Sequence, residues 1–155
     1  MTSQPDDAPR LYLGNPAARY RGPGLSYAAM AAPRAWERGR VCPDGAPDVG
    51  ALRLVQQGRL TIAEYGRLCG ALFAQRRQQG RLSPGALCGV VSGSQVRLTS
   101  GDTLTCGCAA PGSPRRVHPC HLEVLAPELA AAGWEVVIWG EPLAGRTPVD
   151  FGWTR

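Results

Sequence analysis

The chain has no lysine, and all 17 of its basic residues are arginine. Histidine is scarce as well, with two residues in 155. No apolar run approaches the roughly 18 residues a membrane-spanning helix needs, so a membrane partner is not expected. The opening "MTSQPDDAPR" lacks the basic-then-apolar pattern of an export signal, and a cytoplasmic location is the expectation. Long basic runs, internal repeats and low-complexity blocks are also missing, which argues against a basic nucleic-acid arm and a repeat architecture. The exclusive use of arginine beside abundant Ala, Gly and Pro fits a high-GC coding bias. It also leaves a net charge of +5 carried by side chains whose planar forks suit phosphate. A phosphate-bearing small molecule or a nucleic acid is therefore the expected kind of partner. The arginines are scattered, with doublets only at 76–77 and 115–116.

What is present fits one ordinary domain, long enough to bury a core and 44% hydrophobic. Residues 1–9 are read as a disordered tail rich in Pro and Asp, and 10–155 as a single α/β domain. "RLYLG" (10–14) is a strand candidate ending at a Gly-Asn-Pro turn signal. A short helical piece is expected around Tyr27 to Ala31, and a loop over 41–50 with Asp48 placed to cap the helix that follows. Residues 49–80 read as two helices broken at Gly58. The second begins at Thr61 with Glu64 at capping-box spacing. Its apolar stripe is Ile62, Tyr65, Leu68, Cys69, Leu72 and Phe73, read as core. Residues 83–91 are a short helix or turn. The stretch 94–108 is either a hairpin turning at "SGD" or a loop followed by one buried strand at 103–108. A helix over 120–133 turns Leu122, Leu125, Leu129 and Ala130 inward, with Pro127 expected to kink or divide it. "WEVVIWG" (134–140) is the strongest strand, and the remaining tail is expected to lie irregularly over the surface.

Three of the six cysteines and both histidines fall between Cys106 and His121. The order strand, loop, helix, strand across this region is a βαβ unit, so 103–108 and 134–139 are expected to be adjacent parallel strands in a sheet that includes "LYLGN". Ligands of such sheets bind beyond the carboxyl ends of the strands. The loop 109–121 is expected to lie there, and Tyr12 and Asn15 are candidates for the same edge, although a plain turn also accounts for Asn15.

Three chemistries compete for this loop. Cys106, Cys108, Cys120 and one of His118 or His121 are a possible zinc set. Against it, Cys106 and Cys108 on one extended strand would lie about 6.5–7 Å apart, wide for one ion. No cofactor is expected on that ground, zinc being the alternative, at well under one equivalent. The second chemistry is an anion site: Arg115, Arg116 and His118 precede a helix start whose N–H groups and dipole favour phosphate and would activate Cys120 as a thiolate beside His121. Cys120 is then the expected fastest thiol, with Cys42 a rival if its loop is exposed. The third reading is packing alone: core thiols, and histidines facing solvent. Cys42, Cys69 and Cys88 stand singly and are explained as buried thiols.

The residues "DTLTCGCA" and "PCHLEVLAPELAAAGWEVVIWG" resemble the domain-of-unknown-function family 488 of bacteria and phages. That family has a buried strand ending in Cys, a Cys-His-Arg triplet opening a helix, and a Gly before a final strand. "LYLGN", "GLSYAAMAAPRAW" and "LTIAEYGRLCGALF" are similar to its first strand, its aromatic-Pro segment and its central helix. Leu122 stands where the family has Arg, so any anion contact would pass to Arg115 or Arg116. The resemblance implies a small three-layer Rossmann-like α/β fold with a mostly parallel sheet, and no established reaction. Two classes of function follow: an enzyme using Cys120 as nucleophile and His121 as acid or base, or a non-enzymatic nucleotide- or nucleic-acid-binding module.

Overall fold

The structure, a computed structural model, describes residues 8–31, 39–107 and 120–153. Its framework is an eight-stranded sheet. In chain order the strands are β1 (Arg10–Gly14), β2 (Ser26–Ala28), β3 (Arg40–Val41), β4 (Cys88–Val91), β5 (Ser94–Arg97), β6 (Thr103–Thr105), β7 (Glu135–Ile138) and β8 (Glu141–Pro142). In space they run β5-β4-β3-β2-β6-β1-β7-β8. The five central strands are parallel, while β4, β5 and β8 join antiparallel at the two ends. Among the described residues three α-helices accompany the sheet: α1 (Val49–Gln56), α2 (Ile62–Gln78) and α3 (Leu122–Ala131).

The expected neighbours at 103–108 and 134–139 are parallel but not adjacent, because β1 lies between them. Leu11 and Leu13 of β1 are fully buried, which makes it a better central strand than an edge. The α3 crossover therefore steps over one strand, packing on both β1 and β7. Residues 26–28 form β2, where a helical piece is expected. A three-residue apolar run carries no usable periodicity, and pairing decides the conformation: Ser26 to Thr103 and Ala28 to Thr105 are in register.

The hairpin is displaced too. Residues 94–97 pair with 88–91 through a tight turn at Ser92 and Gly93, whose φ values are 51° and 81°. Two successive left-handed residues make the turn that matches strand twist. The "SGD" stretch instead leads into the single short strand β6, the second of the two readings. Ser83 opens a turn and not a helix, since both Ala86 and Leu87 donate to its carbonyl. The C-terminal tail is no surface coil either. Residues 141–142 pair with β7, a 3₁₀ turn spans Pro148–Phe151, and Leu143, Phe151 and Trp153 are buried. Trp153 lies so close on α2 that a Cβ at position 66 would stand 2.7 Å from its ring, which explains glycine there.

The helices follow their sequence signals more closely. Asp48 Oδ1 accepts from Ala51 N–H at the start of α1. Thr61 and Glu64 form the full capping box of α2 at 3.1 Å in each direction. The α2 stripe buries Tyr65, Cys69 and Phe73, but Leu68 is 44% exposed, and in α3 Ala130 is exposed beside buried Leu122, Leu125 and Leu129. α3 runs undivided through Pro127. Arg77 Nε donates to Glu128 at 2.7 Å and locks α2 to α3, and the Arg76 guanidinium donates to the Asp44 and Ala46 carbonyls, both at 2.8 Å.

Candidate functional site

The chain leaves β2 toward β3 on one side of the sheet and leaves β6, through α3, toward β7 on the other. β2 and β6 are neighbours, so their carboxyl ends flank the point where the winding reverses. In open α/β sheets that crevice is where ligands bind. The residues just beyond these ends are Ala29 and Cys106. Their backbones are tied to the sheet: Ala29 N–H donates to Thr105 O at 2.9 Å, and Cys106 N–H to Gly14 O at 2.9 Å.

Against this edge stands the start of α3. Cys106, Cys120 and His121 are all buried, and one ligand-type atom from each lies within 4.8 Å of the others. His121 Nε2 is 3.0 Å from the Ala29 carbonyl oxygen. A carbonyl can only accept, so Nε2 carries the proton and Nδ1 keeps the lone pair in the neutral ring. Phe73 covers the imidazole at a ring-centre distance of 6.4 Å. From α2, the Tyr65 hydroxyl bonds to Cys69 and lies within the electrostatic reach of Cys106 and Cys120; burial pushes its ionisation well above the ordinary tyrosine range.

Glu123 holds the arrangement together. It is fully buried; one carboxyl oxygen accepts from Cys120 N–H at 3.1 Å and the other from Trp139 Nε1–H at 2.9 Å. The bond to Cys120 is the carboxyl half of a capping box, made by a Glu three residues on. Trp139 follows β7, and its backbone is left-handed at φ 54°. Together with Gly140 it makes the two-residue turn into β8, a position where Asn or Gly is usual. The indole is fixed by Glu123 and by an edge-to-face contact with Tyr20 at 5.7 Å, and these contacts hold the uncommon backbone in place. Glu123 escaped the sequence reading. The signal available was its spacing from Cys120.

The candidate residues are not all gathered here. Tyr12 lies mid-strand, its ring against Gly22. Asn15 just follows β1, and its side chain accepts from Ala17 N–H at 3.0 Å. Arg115, Arg116, His118 and Cys108 lie outside the described residues. Cys120 is 1% exposed and His121 5%, so neither faces solvent, as the activated-thiol and packing readings respectively expected. Cys42, the expected rival, is fully buried, and burial pushes its thiol up to about 12. Of the five described cysteines Cys88 is the one that is half-buried, the other four being buried. A cavity of about 280 Å3 opens elsewhere, between α2, α3 and the C-terminal turn, lined by Gly66, Arg67, Val124, Val149 and Trp153. None of the three clustered residues lines it.

The fold and this edge define an α/β protein with a buried Cys-Cys-His cluster where its sheet reverses winding. No family model, curated protein or solved structure matches the chain.

Proposed function

We propose that the chain is a Rossmann-like ligand-binding protein that takes a small phosphorylated or nucleotide-like anion in the crevice beyond β2 and β6. The observation that carries this reading is the reversal of winding between those two strands, with the ten-residue helix α3 starting at the same edge. The positive dipole end of a helix start favours an anion. In sequence, Arg115 and Arg116 lie just ahead of that start and stand in for the Arg that Leu122 replaces in the family it resembles. The burial of Cys120 and His121 speaks against nucleophilic attack, since a role as nucleophile and acid–base pair would need them uncovered. Titration calorimetry with inorganic phosphate and with nucleoside mono-, di- and triphosphates tests the reading. A saturable site that weakens in Arg115→Ala/Arg116→Ala is the expected result. No saturable anion binding, or equal binding by the double variant, would end it.

A further inference from the structure

We infer that Cys106, Cys120 and His121 ligate one soft divalent cation, zinc by the nature of the donors. The reading does not depend on the anion proposal. Two thiols and an imidazole are the donor set that selects zinc over hard cations, which prefer oxygen. These donors come from two segments well apart in sequence, one closing β6 and one opening α3, and yet converge to within 4.8 Å. With metal–sulfur bonds of about 2.3 Å and metal–nitrogen bonds of about 2.0–2.1 Å, a tetrahedral ion holds its donors roughly 3.5–3.8 Å apart. A contraction of roughly 1 Å or less between donors brings the cluster onto an ion. The sequence-level objection, that Cys106 and Cys108 lie too far apart along a strand, does not apply to this set, which pairs Cys106 with Cys120.

The imidazole adds a second argument. A ligating histidine typically donates its other ring N–H to a carbonyl or carboxylate, which fixes tautomer and orientation. His121 does this through Nε2 to Ala29 O at 3.0 Å, leaving Nδ1 as the donor atom. The backbone at Cys120 is held in turn by Glu123. Cys106 is anchored by its N–H on β1. The three ligands are thus fixed on rigid elements before any ion arrives. Among the described residues three protein ligands are gathered, which leaves one corner of the tetrahedron to a further ligand.

The test is elemental analysis of tag-free protein after exhaustive dialysis, with a cobalt(II) titration of the metal-stripped chain. We expect one zinc per chain, a thiolate-to-cobalt charge-transfer band saturating at one equivalent, and loss of both in Cys106→Ser, Cys120→Ser and His121→Ala. Cys42→Ser and Cys69→Ser keep both. Should the first three variants fail to fold, the wild-type cobalt titration decides alone. Little zinc and no charge-transfer band in folded wild-type protein would overturn the inference, as would retention of zinc by all three variants. Because phosphate is absent from these experiments, failure of the anion site would leave their outcome unchanged.

Discussion

Two buried carboxylic acids, Asp102 at the amino end of β6 and Glu123 in the first turn of α3, sit in joints built for different purposes. At the amino end Asp102 accepts from Leu25 N–H and Thr99 N–H, both at 2.9 Å. Its surroundings are Gly22, Gly24 and Gly101, small residues that let loops approach the strand closely. At the start of α3 Glu123 accepts from Cys120 N–H and from the Trp139 indole, and Cys120 in turn belongs to the cluster with Cys106 and His121. Both acids satisfy backbone donors, part-buried ones at Asp102 and a buried one at Glu123. Only the second does so among residues that carry chemistry. A buried acid alone thus marks a joint in the chain; its neighbours decide whether the joint is also a site.

The most disruptive way to probe this contrast is to remove each acid. Glu123→Ala leaves the Cys120 N–H and the Trp139 indole without their acceptor, and Asp102→Ala does the same to Leu25 and Thr99. At about 1–3 kcal/mol for each stranded group, each variant should lose roughly 2–5 kcal/mol in urea unfolding. The contrast predicts a difference in kind: in near-ultraviolet circular dichroism, Glu123→Ala alters the Trp139 signal, and Asp102→Ala, if still folded, leaves it intact. Equal spectral change in both would erase the distinction between the two joints.

A second probe is alkaline pH. Burial raises the thiol of Cys42 from 9.0 to about 12 and also raises Cys69, Tyr27 and Tyr65 above their ordinary values. The folded chain then keeps protons that the unfolded chain releases, so unfolding free energy falls as pH rises. The loss begins near pH 9, the ordinary thiol value, and continues toward 12 for Cys42. Urea unfolding at stepped pH should show this decline. A flat profile from 8 to 11 would contradict the burial of these groups. In the same range Cys88 should be the first described thiol to react with iodoacetamide, with Cys106 and Cys120 protected until unfolding; early labelling of Cys120 would break the site as described.

Smaller effects test the frame around the joints. Thr61→Ala removes the cap that accepts from Glu64 N–H, and about 1 kcal/mol should be lost. Glu135→Gln cuts the exposed pair with Arg10 and should leave stability nearly unchanged.

How much of this was legible in the sequence depends on where the determining interaction lies. α1 and α2 were legible because their caps and stripes are local: Thr61 with Glu64, Asp48, and Tyr65, Cys69 and Phe73. β1 and β7 were legible from their apolar patterns, but the place of β1 between β6 and β7 was not, since strand order is fixed by pairing between segments far apart in the chain, such as Tyr12 with Thr103 and Arg10 with Glu135. β2 was misread because three residues carry no period. The C-terminal tail was misread because its burial rests on isolated anchors, Leu143, Phe151 and Trp153, with no repeat to announce them. The concentration of Cys and His near residue 120 pointed to the right edge of the sheet. Spacing alone did not select Cys106, Cys120 and His121, since their convergence depends on how α3 docks against β6 and β2.

That convergence is most directly tested by the tautomer of His121. A long-range ¹⁵N–¹H spectrum of metal-stripped protein near neutral pH, assigned by comparison with His118→Gln, reports which ring nitrogen carries the proton. The account predicts Nε2–H held by the Ala29 carbonyl, with Nδ1 bare. A proton on Nδ1, or rapid averaging between the nitrogens as in a solvent-exposed ring, would contradict it.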